Sequence, residues 1–477
     1  MRNEVRNTGT WTETFFARRN AIDLLLLAFL VCFTVDSVIA KPIALLLTLV
    51  FMWQEVRSFR FFQVPWFYLL IPLMELIRFV CFNHDFTAGH WTSFAIGIAY
   101  WVMAWFAFLI IRSRVNTQGA DRIKGTLNTW FYLNVVICGF QLIGTMVHSG
   151  SLNPYGLSDV QYGNSTGDHI KSLLLAPCYI NMFINSFFAI WYLYQGNRRN
   201  AILAALVCCL TTTNFANIIF LPVLLVLLFV KRDRQSRITI LYSLGLFLFF
   251  SILISAGNIS YMKESVSNES IQHMSISPTD ADTSNKSAHA DSARQASKRI
   301  TIIYGRLARP NGKMLSWKET WSYFISSPQH ALFGAGIGNF SSLLAIRTAH
   351  IYGKQHSRFY EHVPEYIHPD FYANHYQIMK DVYALPEGYH SARHMSHSFP
   401  NNIVGEYGLA GVFFFLLGYV WYFLKRGVGS GYFLVIMFLT GGYLWFDYLF
   451  EYLSVMVFFE LFFWLHLATK SRPPQDA

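Results

Sequence analysis

"HSFPNNIVGEYGLAGVFFFLLGYVWYFLKRG", residues 397–427, decides the architecture. From Ile403 onward it supplies roughly the 20 apolar residues a helix needs to cross a bilayer, and it closes on Lys425 and Arg426. Pro400 suits the first turn of that helix, where a missing N–H costs nothing. One carboxylate, Glu406, stands about two turns inside. A charge at that depth needs a partner or water. Glu406 is therefore expected to lock neighbouring helices together, with Gly408 and Gly411 allowing close packing, or to orient His397 or a neighbouring loop through hydrogen bonds. His397 waits just outside the apolar run.

Working outward, the same apolar character recurs along the chain. Its 477 residues are 53% hydrophobic, 17% aromatic and only 13% charged, where a soluble protein carries about a quarter charged. About twelve runs are long or apolar enough to count as membrane helices: 21–39, 40–54, 62–82, 92–111, 126–148, 171–194, 200–213, 214–230, 238–256, 400–424, 431–448 and 450–469. The runs 40–54 and 200–213 are short. The expected fold is an all-α polytopic membrane protein with one large loop before the tenth helix. Residues 1–256 form helices one to nine, 257–399 the loop, and 400–477 helices ten to twelve with a tail.

Lys and Arg set the orientation. With the N-terminus in the cytoplasm, the cytoplasmic segments hold Arg2, Arg6, Arg18 and Arg19, then Arg57 and Arg60, and so on to Lys470 and Arg472. The short outer loops hold only Lys41 and Lys171. Both termini are expected inside and the large loop outside. The net charge of +10 is then topology, and nucleic-acid binding is not expected. The basic lead "MRNEVRNTGTWTETFFARRN" is unlike a short signal n-region, so the first helix is expected to be retained. The six cysteines lie in apolar runs, which argues against a disulfide framework.

Within the loop, 257–299 has almost no large apolar residue and reads as a flexible Ser-rich arm. Residues 300–399 read as a folded part. There Leu315, Trp317, Trp321 and Phe324 have rough helical spacing, expected to form an amphipathic helix on the membrane surface. The segment 347–396 is rich in Tyr and His and yields no assignment. His362, His368, His394 and His397 lie near one another, but without H-E-x-x-H spacing or a cysteine partner, so no metal site is expected. Glu75 and Arg78 are three apart and able to pair on one helix face. With Asp36, Asp447 and Glu451 they point to one polar cavity opening outward.

His397 and Asn401, followed by "EYGLAG" from Glu406, resemble the "H-N-x-x-L…E-x-G-L-x-G" signature of the bacterial O-antigen ligase and polymerase superfamily. Lys313-x-x-x-Trp317, then Pro328 and "LFGAGIGNF" at 332–340, are similar to that family's "R-x-x-x-W…P-L-x-G-x-G-x-x-x-F" segment. Two features depart from it. "LTTTN" at 210–214 lacks the arginine of the usual "T-x-S-R" element, and Lys313 replaces an arginine. These departures favour a polymerase over a ligase.

The resemblance implies a multi-span enzyme of the bacterial inner membrane, facing the periplasm, that moves a glycan from polyprenyl diphosphate to a sugar hydroxyl without a cofactor. It implies a polyprenyl-diphosphate-linked oligosaccharide and membrane lipid as partners, with a chain-length regulator protein as a further candidate. His397 is the expected general base, since an imidazole is neutral and basic near pH 7. Lys313, Arg306, Arg309 and Arg393 are the candidates for holding the diphosphate, with Arg347 and Arg358 weaker. Glu406, Glu75 and Arg78 are expected to support the site. Two other classes compete: a transporter or flippase, and a non-enzymatic assembly component. The long outer loop and the outward placement of the charges weigh against a carrier, whose ionisable groups tend to sit at the midplane.

Overall fold

The structure is a computed structural model that describes residues 22–35, 37, 39–57, 64–82, 87–150, 170–174, 178–211, 214–253, 312–351, 359–383, 398–448 and 450–470. Among these the chain is helical and contains no strand. The first nine helices are α1 (Leu24–Thr34), α2 (Ala40–Val56), α3 (Phe67–Phe82), α4 (Ala88–Gln118), α5 (Ala120–Ser149), α6 (Cys178–Tyr194), α7 (Arg198–Leu210), α8 (Asn214–Val230) and α9 (Arg234–Leu253). The loop contributes α10 (Gly312–Ser326), α11 (Pro328–Phe333) and α12 (Leu343–Thr348). Its next helix, α13, begins at Pro369–Phe371, widens into a π-helical turn over Tyr372–Tyr376 and continues as Gln377–Tyr383. Then follows α14 (Phe399–Phe414), which passes through π-helical Phe415–Val420 into Trp421–Gly427. Last come α15 (Gly431–Phe446) and α16 (Leu453–Lys470).

Every apolar run read from the sequence carries one of these helices. Four are long and apolar enough to cross a membrane: Ala88–Gln118, Ala120–His148, Phe399–Gly427 and Leu453–Lys470. Leu24–Thr34, Ile219–Val230 and Gly431–Trp445 are shorter apolar helices. The burial pattern is that of a helical membrane protein. Residues Leu453 to Leu465 of α16 are buried on every face, against α1, α4, α5, α6 and α15. The outer helices instead turn large apolar side chains outward, such as Phe51 at 75% and Phe229 at 80% exposure. Water would not tolerate such a surface, but lipid does.

Several buried polar groups tie the bundle helices together. The Glu460 carboxylate of α16 accepts from Tyr68 Oη at 2.5 Å and Tyr419 Oη at 3.1 Å, tying together α3, α14 and α16. Asp23 caps α1 by accepting from Leu26 N at 3.1 Å, and it pairs with Arg114 Nε at 2.6 Å. Arg114 also reaches Glu55 Oε1 at 3.4 Å, so α1, α2 and α4 are pinned at one end. Asn134, Asn181 and Asn185 form a buried amide cluster between α5 and α6.

The loop helix α10 docks on α14 and α13. Its buried face is the polar one: Gly312, Lys313, Ser316, Thr320 and Tyr323. Its exposed face carries Met314, Leu315, Trp321 and Ile325. The spacing in the sequence marks the helix, and the structure shows which side is which. Trp317 stacks on Trp445 of α15 at 5.4 Å, so the apolar face of α10 runs on from the outward face of a bundle helix. The flexible arm expected at 257–299 lies outside the described residues. The segment 347–396, unassigned from sequence, contains the end of α12, a short 3-10 turn at Tyr360–His362 and α13.

Candidate functional site

The site is built on the glycine-rich segment Gly334–Leu344. Gly334, Gly336 and Gly338 have φ of +65°, +93° and +71°, while the residues between them do not. Positive φ at every second residue lets the backbone aim its N–H groups at several acceptors in turn. Most of these acceptors are carboxylates of the surrounding bundle. Glu406 accepts from Gly338 N at 3.0 Å, and from Phe340 N and Ser342 N at 3.3 Å each. Glu75 accepts from Ile337 N at 2.9 Å. Glu451 accepts from Leu343 N at 3.1 Å and Leu344 N at 2.9 Å, and from Asn402 Nδ2 at 2.7 Å. Ala335 N and Gly336 N donate to the carbonyls of Gly405 and Glu406 at 2.8 Å. Three acids, buried Glu75 on α3, buried Glu406 on α14 and partly buried Glu451 just before α16, thus hold one loop.

This resolves what Glu406 does. It is 1% exposed, and it locks a loop onto a helix rather than one helix onto another. Gly408 serves the same contact. It kinks α14 at φ +59°, and a Cβ there would lie 2.6 Å from the backbone of Leu332. Gly336 has a second reason to be glycine, because a Cβ would fall on the Arg78 guanidinium.

Arg78 and Glu75 pair as their spacing predicts, with Nε 3.1 Å from Oε2. The Arg78 side chain keeps 13% exposure against the loop. Beyond it, Tyr323 Oη donates to Asp370 Oδ2 at 2.9 Å. Burial and that carboxylate push the Tyr323 phenol well up, and Arg78 opposes them. The Tyr323 ring also stacks on His330 at 4.1 Å. Asp370 lies 3.6 Å from His368 Nδ1. Neither Tyr323 nor Asp370 was legible as a site residue, because nothing in the local spacing joins residues 47 apart.

Lys313 is buried, with Asp447 near enough to favour its charge, yet burial dominates and lowers its ammonium from 10.5 to about 8. One turn on, Ser316 accepts from Asn401 Nδ2 of α14 at 2.9 Å. Ser316 Oγ also lies 3.4 Å from His375 Nδ1, and Thr320 Oγ1 lies 3.3 Å from His375 Nε2. Thr320 donates its own proton to Ser316 O at 2.8 Å, so His375 Nε2 donates to Thr320 and Nδ1 accepts from Ser316. His375 is fully buried, and burial lowers it from 6.5 to about 3. It is a neutral structural histidine that sequence reading missed. Asn401 thus ties the start of α14 to α10, while Ser398 Oγ caps Asn401 N at 3.3 Å and Phe399 N donates to Asp447 O at the end of α15 at 3.1 Å.

Of the residues singled out from sequence, the structure brings Glu75, Arg78 and Glu406 together at the glycine loop. Lys313 stands on α10 beside the start of α14. His397, Arg306, Arg309, Arg393, Arg358 and Asp36 lie outside the described residues. Arg347 reaches Tyr100 Oη at 3.3 Å. Beneath the loop is a cavity of about 30 Å³, lined by Trp101, Asn402, Glu406, Tyr407, Tyr448 and Glu451 among others. That exceeds the roughly 10–15 Å³ that one water needs. Among the described residues no group of three or more His, Cys, Asp and Glu side chains is placed to hold a metal ion. Comparison of the chain with protein-family models, curated proteins and solved structures finds no match.

Proposed function

We propose that this protein is a bacterial inner-membrane glycosyltransferase that joins polyprenyl-diphosphate-linked oligosaccharide repeat units into O-antigen or exopolysaccharide at the periplasmic face. One observation carries the reading. The two segments whose motifs resemble that superfamily, 332–340 and 397–411, are far apart in sequence and meet where Glu406 accepts from Gly338 N and Phe340 N. Beside these segments stand two cations, Arg78 and Lys313, in partly or wholly dehydrated positions, where attraction to a phosphate is least screened.

In this reading the acceptor sugar's hydroxyl loses its proton to His397 as its oxygen attacks the anomeric carbon of the donor. The bond from that carbon to the diphosphate oxygen breaks, and the polyprenyl diphosphate leaves with the electron pair. Lys313, with Arg306, Arg309 and Arg393, counters the diphosphate charge, so side-chain cations take the part a metal plays elsewhere. Arg78 and Glu75 support the loop. Twelve spans with both termini cytoplasmic complete the picture.

Two runner-up readings have their own tests. A ligase would transfer the finished glycan to lipid A–core, and a carrier would move a lipid-linked sugar across the membrane. Purified protein given a polyprenyl-diphosphate oligosaccharide should form longer glycan, and a carrier would not. A deletion strain should lose polymer while single repeats still cap lipid A. Polymer building up on polyprenyl diphosphate would indicate the ligase instead. For topology, a reporter fused near residue 290 should be active only outside the cytoplasm. Activity inside would overturn the orientation and the mechanism with it.

Lys313 yields a pH test with opposite signs for stability and rate. Between its folded value of about 8 and its ordinary 10.5, the unfolded chain binds more protons than the folded one. Stability therefore rises with pH across that window. Diphosphate binding needs the ammonium, so transfer should fall about tenfold per unit once Lys313 loses its proton. Lys313→Arg stays charged and should abolish that fall, while Lys313→Ala should lose most activity at every pH. A pH–rate profile from 7 to 10 checks this. The same falling limb in Lys313→Arg would remove Lys313 from the diphosphate site.

A further inference from the structure

The π-helical turn Tyr372–Tyr376 in α13 calls for an explanation, since such insertions re-aim side chains and often stand at functional sites. Here the turn sends His375 fully inward against Ser316 and Thr320. It sends Tyr372 outward, 65% exposed. The Tyr372 ring stacks on Tyr376 at 5.4 Å, and Lys380 Nζ lies 5.6 Å over the Tyr376 ring. Asp370 opens the same helix two residues before Tyr372, its side chain 31% exposed, with Oδ2 held by Tyr323 Oη.

The surroundings choose the occupant. On the outward side of α13, Gln377, Lys380 and Asp381 are exposed, and Gln377 Nε2 donates to Asp381 Oδ1 at 2.6 Å. Such polar neighbours set this face apart from the apolar side of α10 and make it a poor seat for lipid. An aromatic face beside a carboxylate and amides matches a pyranose, whose C–H face is apolar and whose rim is hydroxyl. We propose that α13 is a saccharide-binding platform. Tyr372 stacks against a pyranose face, and Asp370, oriented by Tyr323, accepts from the sugar's hydroxyls. This deepens the glycosyltransferase reading and rests on it for the identity of the sugar as part of the repeat unit. Asp370 also links the platform through Tyr323 to α10, the helix that carries Lys313.

The test uses full-length protein in lipid nanodiscs. The probe is repeat-unit oligosaccharide released by mild acid from the surface polysaccharide of the cell that makes this protein. Binding is read by saturation-transfer NMR and calorimetry. Tyr372→Ala should weaken binding about tenfold, the worth of one well-stacked ring. Tyr372→Phe keeps the ring and should stay within about twofold, and Asp370→Asn should also weaken binding. Tyr372 is exposed, so its variants should melt like the parent. Absence of binding by the parent protein, or equal binding by Tyr372→Ala, overturns the platform. The same preparations assayed for transfer from a polyprenyl-diphosphate donor keep the two ideas apart. Transfer with oligosaccharide binding indifferent to Tyr372 sinks the platform and leaves the enzyme. Tyr372-dependent binding without transfer upholds the platform and sinks the enzyme.

Discussion

Glu406→Ala should release the glycine loop and abolish glycan transfer while leaving membrane insertion intact. The substitution strips an acceptor from Gly338 N, Phe340 N and Ser342 N, all within a buried clamp. A buried donor left unsatisfied costs about 1–3 kcal/mol. Three of them approach the whole net stability of a typical domain, about 5–15 kcal/mol. The apolar helices insert independently of this contact, so the protein should still reach the membrane. Displacing a catalytic element by even 1 Å costs about a hundredfold in rate, and release displaces it further. Glu406→Gln keeps one oxygen acceptor but turns an NH2 towards donors, so it should fall between. Limited proteolysis within 334–344 and a transfer assay measure both effects. A loop still protected in Glu406→Ala, with normal transfer, would show that Glu75 and Glu451 hold it alone.

The clamp also shows how far the sequence could be read. The bundle helices were legible because lipid leaves few alternatives to apolar helical runs. Glu406 was legible as a lock, since a lone acid in an apolar run must find donors. Its partners were not, because backbone N–H groups carry no signature in side-chain type. The helix α10 was found from its aromatic spacing, but which face is buried depends on whether water or lipid lies outside. His375, Tyr323 and Asp370 escaped because their meeting is made by the long return from α10 to α13, which no local pattern records.

His397→Gln should cost about two to four orders of magnitude in transfer rate, the usual worth of an acid–base group. The structure explains why the protein should otherwise be unharmed. The residues that follow His397 have anchors of their own: Ser398 Oγ caps Asn401 N, Phe399 N donates to Asp447 O, and Asn401 Nδ2 bonds Ser316 Oγ. None of these needs the imidazole, so α14 should start at the same place and expression should be unchanged. Glutamine keeps a donor and an acceptor but takes up no proton near neutral pH, which separates proton transfer from positioning. His394→Gln, three residues earlier, is the control and should have a mild effect. If His397→Gln makes normal polymer at normal protein level, the base lies elsewhere. The next candidate would then be the Asp370 carboxylate at the start of α13, which the Tyr323 hydroxyl already holds in place.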